Sequence, residues 1–263
     1  MYSPSYSKAH CAIPLAVAAS LLLAACGGGG DTDTSTHPNP PPAPPPITPA
    51  IADNVLFSVT PGVGVVATIN KAGYLRAYDM SSGHPVTIAS GSAPMRGSGA
   101  SATGDGWLLS SAVFSHSTVS LNSNSGTSTY TLKAQSAIGQ TSNSTMQLAS
   151  NLQKPTLSSL AGNYGTGPYY SMRIDGTSFT GIYGFTCRWS GTMSLNTNTI
   201  DVTNIDFQNM VGQICPYAGK AFSGTAYLSG PSAAYAKGAI VVLLDDGGSN
   251  MPTMINAYNF IRQ

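Results

Sequence analysis

Glutamate is absent from the 263-residue chain, and every one of its 10 acidic side chains is an aspartate. Lys and Arg number 11, so charged residues make up only 8% of the sequence and the formal net charge is +1. Long amphipathic helices draw their wet face from Glu, Lys and Arg. Their scarcity excludes coiled coils and helix bundles. The balanced charge removes the electrostatic basis for a nucleic-acid partner. Long apolar runs are also missing: the longest, Ala12–Ala25, has 14 residues, whereas about 20 are needed to cross a bilayer. Gly (29) and Pro (18) are plentiful, amid dense Ser, Thr and Asn. This is turn-rich material suited to short strands.

The N-terminus reads as an export address. Polar residues and Lys8 precede the apolar run, which ends in Leu23-Ala24-Ala25-Cys26 before four glycines. These are the proportions of a secretory signal. The Leu-Ala-Ala-Cys segment resembles the lipobox of bacterial lipoproteins. That resemblance implies cleavage before Cys26, a diacylglyceryl thioether on its sulfur and a further acyl chain on its amine. Several acyl chains hold a protein far more firmly than one, at about 0.8 kcal/mol per buried methylene. In such lipoproteins an Asp after the cysteine favours inner-membrane retention. Gly27 stands there, so the expectation is a lipid anchor in the outer membrane. The alternative is an ordinary signal peptide with a cysteine near its cleavage point.

Beyond residues 1–25, residues 26–52 read as a tether. The glycines are flexible, and His-Pro-Asn-Pro-Pro-Pro-Ala-Pro-Pro-Pro favours extended polyproline II. The body then divides into a smaller β unit over 53–153 and a barrel-like domain over 154–263, with Lys154-Pro155 at the boundary. One sheet system sharing a core is the competing division. In the C-terminal half, Tyr170, Met172 and Ile174 alternate with polar neighbours, and Asp175-Gly176 predicts a type I′ hairpin. Further strands are expected at Leu160–Tyr164, Ser178–Tyr183, Arg188–Leu195, Ile200–Phe207, Ala221–Leu228, Gly238–Leu244 and Met254–Ile261. A bulge is expected where the apolar phase slips between Val202 and Ile205. The fold class is therefore all-β: about eight antiparallel strands in a meander, closed as a barrel or folded as a sandwich. In the first half, strands are expected at Val65–Asn70, Tyr74–Tyr78, Trp107–Phe114, Val119–Asn122 and Ser128–Lys133. Gly104-Asp105-Gly106 reads as a turn, and 134–153 as polar and featureless.

The body resembles a group of proteobacterial lipoproteins. Leu160-Ala161-Gly162-Asn163-Tyr164, Cys187-Arg188-Trp189-Ser190-Gly191-Thr192, Cys215 and Phe222-Ser223-Gly224-Thr225-Ala226-Tyr227 carry the resemblance. It implies a small lipid-anchored barrel of the lipocalin-like or transferrin-binding-protein-like kind, and no functional residue is carried over with it. Fold alone does not give function.

Candidate chemistry is sparse. Cys187 and Cys215 are the thiols left after Cys26, and an oxidising compartment predicts a disulfide between them. Two free thiols, or a metal or nucleophilic role, are the alternatives. There is no Gly-x-Ser-x-Gly elbow. His37 lies in the tether, His84 precedes Pro85, and His116 lies between serines; each reads as a surface or tether histidine rather than a base. Asp201 and Asp206 read as exposed strand or bulge polar groups, a paired acid–base role being the alternative. Asp245-Asp246-Gly247-Gly248 reads as a turn, lacking the alternating oxygens of a calcium loop. No metal or cofactor is expected. Trp107, Trp189 and 13 tyrosines either line a cup for a small ligand or fill a core. The sequence thus points to a non-enzymatic envelope lipoprotein that binds a small apolar ligand or an envelope protein. Adhesin or scaffold roles form the second reading, and an envelope hydrolase the third.

Overall fold

The computed structural model describes residues 50–59, 64–79, 87–89, 94–97, 101–110, 113–231, 236–247 and 254–263. Cys26, His37 and His84 lie outside the described residues. The first half folds as β1 (Asn54–Ser58), β2 (Val65–Ile69), β3 (Leu75–Asp79), β4 (Thr87–Ala89), β5 (Ala102–Ser110), β6 (Val113–Ser123), β7 (Thr129–Ser136) and β8 (Thr141–Leu148). Each strand pairs antiparallel with the next, and β1 pairs with β8 to close a barrel. A short β9 (Leu152–Gln153) and a helical turn, α1 (Leu157–Leu160), follow. Thr156 caps that turn: its hydroxyl accepts from the Ser159 amide, while the Ser159 hydroxyl accepts from the Thr156 amide.

The second half contains β10 (Gly162–Gly165), β11 (Tyr170–Asp175), β12 (Ser178–Tyr183), β13 (Cys187–Leu195), β14 (Ile200–Asn209), β15 (Phe222–Ser229), β16 (Ala239–Asp245) and β17 (Met254–Arg262). These run as an antiparallel meander, with β14–β15 and β10–β17 pairings completing a second closed barrel. The fold is all-β, and the barrel form rather than the sandwich is the one adopted. The expected bulge is present: the β14–β15 register shifts between Val202 and Ile205, and Asn204 takes a φ of 52°. Closure stops both sheets from presenting free edges.

Several local expectations are corrected. Gly104-Asp105-Gly106 is not a turn but the middle of β5, paired with Val119, Thr118 and Ser117. Gly104 is in close contact there: a Cβ would sit 3.3 Å from the Met95 Cα. The segment Trp107–Phe114 is divided between the two arms of the β5–β6 hairpin. The featureless stretch after residue 134 contains β8, whose inward positions are Ser144 and Met146. One large apolar side chain is too little contrast to register as a strand. In the β11–β12 hairpin, Asp175 pairs with Ser178, so the two-residue loop is Gly176-Thr177. Only Gly176 has positive φ (59°). A type I′ turn requires positive φ at both central residues, and a glycine in the first position is the II′ pattern.

Each barrel has its own core. The N-terminal one is aliphatic, built on Leu56, Ile69, Leu75, Ile88, Leu108 and Leu132 among others. Aromatics dominate the C-terminal one, with Phe179, Trp189, Phe207 and Phe260 all at most 2% exposed. Trp189 stacks on Phe207 and Phe260 at 6.0 and 5.4 Å, and its indole N–H donates to the Ser171 carbonyl at 3.1 Å. Glycines make the room. A Cβ on Gly191 would lie 2.6 Å from the Phe179 ring, and one on Gly181 would lie 2.6 Å from the Trp189 Nε1. The Ser-Gly-Thr steps at 190–192 and 223–225 therefore place an inward gap beside a large inward side chain, as a tapering barrel requires. Gly191→Ala is expected to lower the unfolding free energy by about 1–3 kcal/mol through overpacking. A urea midpoint equal to that of the parent would contradict the tight fit of Phe179.

Candidate functional site

An eight-stranded barrel is just wide enough to be filled by its own side chains or to hold one small ligand. In the C-terminal barrel the first applies. Tyr183, Trp189, Phe207, Tyr217 and Phe222 form a continuous ring network with centroid separations of 5.3–6.0 Å. Of the two readings of the aromatic content, a ligand cup or a filled core, the C-terminal barrel adopts the filled core. Burial raises the Tyr217 hydroxyl above its usual range, and neighbouring Tyr170 adds to the effect. Burial likewise raises Tyr164, partly opposed by Arg262. The Tyr164 hydroxyl donates to the Leu160 carbonyl at 2.8 Å, tying the helical turn to the barrel wall.

The polar candidates sit on the outside or at the junction between the barrels. His116 is exposed on the outer face of β6, its ring edge-on to Trp107 at 5.4 Å. Its strand neighbours Ser115 and Ser117 are buried, because successive residues of a strand face opposite sides. Their hydroxyls donate to the Leu108 and Ser115 carbonyls rather than pointing at the imidazole. Asp206 is exposed and accepts from the Gln208 amide at 2.6 Å. Asp201 is not the exposed strand carboxylate expected. It accepts from Asn70 of the first barrel at 2.8 Å and from Asn196 at 3.0 Å. Asp206 and Asp201 therefore belong to separate surroundings and do not form an acid pair.

Asp245 is also corrected: it is no turn residue but the last residue of β16, 2% exposed. It is ion-paired with Arg76 of β3, itself 4% exposed. The remaining guanidinium nitrogens donate to Thr225 at 3.0 Å and Ser223 at 3.1 Å. A second carboxylate, Asp53, accepts the backbone amides of Thr197 and Thr199 at 2.9 Å each and the Thr199 hydroxyl at 2.7 Å. Its φ of 57° aims the carboxylate at the β13–β14 turn. Between these ties lies an apolar patch of Val55, Val66, Tyr227, Val241 and Leu243. Beside it run two open clefts of about 370 and 580 Å³, lined by Asn70, Tyr74 and Asp201 in one and by Asp53, Lys71 and Asn196 in the other.

Sequence reasoning missed Arg76, Asp53 and the junction role of Asp245. A signal was available in the runs Val65–Ile69 and Ala239–Leu244, which lack polar alternation. Strands buried on both faces read that way. Every residue of β2 and of β16 is buried, one face in its own barrel and the other at the junction.

The loop end of the C-terminal barrel is the other distinctive surface. The Cys187–Cys215 disulfide is formed and joins the start of β13 to the loop between β14 and β15. The Cys215 amide donates to Asn209 Oδ1 at 2.8 Å, and the Met210 amide to the Thr186 carbonyl at 3.0 Å, fixing the loop base. From this fixed base Val211 and Ile214 project 97% and 83% exposed. Tyr169 and Phe185, from the adjoining loops, contact each other at 3.8 Å. Tyr170 faces the other way, against Tyr183 at 5.5 Å. Among the described residues, His, Cys and Asp side chains do not gather in groups of three that could hold a metal.

Arg76→Met is expected to destabilise the protein by about 3–5 kcal/mol by leaving Asp245 buried and unpaired. The Arg76→Met/Asp245→Leu double variant should recover most of that loss. A denaturant-unfolding cycle in which the two changes simply add would contradict the pairing. No protein-family model, curated protein or solved structure matches the chain.

Proposed function

We propose that the protein is a lipoprotein of the outer membrane, acylated at Cys26, whose two-barrel head is a non-enzymatic interaction module. The address rests on the sequence: a 14-residue apolar run, Leu23-Ala24-Ala25-Cys26, Gly27 in place of an aspartate, and a Gly/Pro-rich spacer. Diacylglyceryl and amide-linked chains on Cys26 would bury enough methylenes for durable anchoring. The spacer would let the head stand clear of the bilayer, because proline-rich chain extends about 3.1 Å per residue.

The observation that carries the interaction reading is the filled interior of the C-terminal barrel. A carrier of a small apolar ligand needs internal volume, and Trp189, Phe207 and Phe260 occupy that volume. This supports the adhesin or scaffold form of the module, which works through its outer surface, over the carrier form. The placement of His116 on a convex strand face supports a non-enzymatic role. The partner is then an envelope or extracellular macromolecule, and no nucleic acid or cofactor enters the account.

With residues 1–25 replaced by an ordinary cleavable secretory signal, Cys26→Ser is expected to abolish incorporation of radiolabelled palmitate and to shift the protein from the membrane to the soluble envelope fraction. The head should retain its folded circular dichroism spectrum. Palmitate labelling that persists in this variant would overturn the assignment of Cys26.

A further inference from the structure

We infer that the cleft of about 370 Å³ at the junction of the two barrels is a binding site for a neutral saccharide, and that the partner of the module is a glycan. The inference deepens the interaction-module reading and rests on it for the claim that the partner is a macromolecule. Both barrels build the cleft. Asn70, Tyr74 and Arg76 come from the β2–β3 turn and β3, and Ser194, Asp201 and Ser223 from β13, β14 and β15. Pockets for small ligands begin at about 300 Å³ and favour such junctions. The volume suits a mono- or disaccharide unit rather than the surface of a folded partner.

The hydrogen-bonding groups of the cleft are fixed in place but only partly used. Asp201 accepts one bond on each carboxylate oxygen, from Asn70 at 2.8 Å and from Asn196 at 3.0 Å. Each oxygen of a carboxylate can accept a further bond. Arg76, 4% exposed, donates its Nε–H to Asp245 and one N–H from each terminal nitrogen to Thr225 and Ser223. The second N–H of each terminal nitrogen has no acceptor among the described residues. Buried donors of this kind require an oxygen. Tyr74 is held by its backbone, whose N–H donates to Asn70 Oδ1 at 2.8 Å, and its half-buried side chain forms part of the cleft wall.

The register puts these donors beside the acceptor. Asp201 and Thr225 are partners on β14 and β15, with Cα atoms about 4.5–5.5 Å apart. The Arg76 guanidinium lies 3.0 Å from the Thr225 hydroxyl, next to Asp201, yet its ion pair is with Asp245. A ligand rich in hydroxyls meets both groups at once: one hydroxyl donates to Asp201 while the oxygen of its neighbour accepts from Arg76. Adjacent hydroxyls of a sugar ring offer this alternation, and the polarised C–H face of the same ring packs on the electron-rich face of a tyrosine. Ions of either sign fit less well. An anion would face Asp201, with the Arg76 charge already matched by Asp245 and with Asp246 next in the chain. A cation would face the buried Arg76 donors. The neighbouring cleft carries Lys71 and Asp53, one charge of each sign.

The test is a saccharide array probed with the mature chain carrying Cys26→Ser and exported from an ordinary cleavable signal. The array would hold oligosaccharides of neutral hexoses and N-acetylhexosamines, beside sialylated, sulfated, phosphorylated and free amino-sugar forms. Binding is expected to neutral members. Titration calorimetry with the tightest of these should show an affinity at least tenfold lower for Tyr74→Ala and for Ser194→Trp, which fills the cleft from an exposed strand position. Thr118→Trp, on the outer face of β6, should bind as the parent does. The melting temperatures of Ser194→Trp and Thr118→Trp should equal that of the parent, so the pair keeps the test decisive where Tyr74→Ala does not fold. Neutral binding undiminished by Ser194→Trp would overturn the site. Binding confined to charged members would overturn the ligand class. A silent array would overturn the inference as a whole, and formaldehyde crosslinking of the full chain in living cells separates that failure from failure of the broader reading. Discrete protein adducts would leave the interaction module standing with a protein as its partner, whereas a silent array without adducts would overturn both.

Discussion

Four strands of this protein, β1, β2, β15 and β16, must satisfy two cores at once. One face of each fills its own barrel, and the other meets the neighbouring barrel at the patch of Val55, Val66, Tyr227, Val241 and Leu243. Removing that outer contact would expose a row of aliphatic and aromatic side chains to water. It would also part Asp245 from Arg76, two charges that can stay buried at the junction only because they are paired. The paired geometry therefore fixes one relative placement of the barrels, and the Asp53 and Asn70–Asp201 contacts fix it at further points. The two closed barrels accordingly fall within one compact unit.

The same economy of space governs the interior. Glycines at 181, 191 and 224 stand where a methyl group would collide with Trp189, Phe179 or Leu244. Such a core has few voids, and the disulfide further restrains the rim above it. The loop end of the C-terminal barrel instead leaves four large apolar side chains exposed, Tyr169, Phe185, Val211 and Ile214. Stability resides in the strands, and adaptability in sequence resides in the loops they hold.

The C-terminal barrel was legible from sequence because its inward residues are large and regularly spaced. Met172, Ile174, Phe179, Trp189 and Phe207 alternate cleanly with polar outward neighbours, and the slip at Val202 to Ile205 is visible as a break in that alternation. The disulfide followed from the two cysteines of the body together with the expectation of export. The N-terminal barrel was less legible because small side chains line it: Ala67, Ala77, Ala102, Ala134 and Ser144 are all inward or buried. Small residues pack well in a barrel yet carry little hydrophobic contrast, so β8 escaped notice, while β1 and β4, 5 and 3 residues long, are too short to show a period. The junction was hidden for another reason. A buried ion pair between residues 169 apart leaves no local pattern, and Asp245 followed by Asp-Gly resembles any surface turn.

The central claim is that the two barrels behave as one head because they share buried faces and a buried ion pair. Differential scanning calorimetry of the oxidised Cys26→Ser protein tests it most directly. The account predicts a single unfolding transition whose calorimetric and van't Hoff enthalpies agree. Two resolved transitions, one for each barrel, would contradict it.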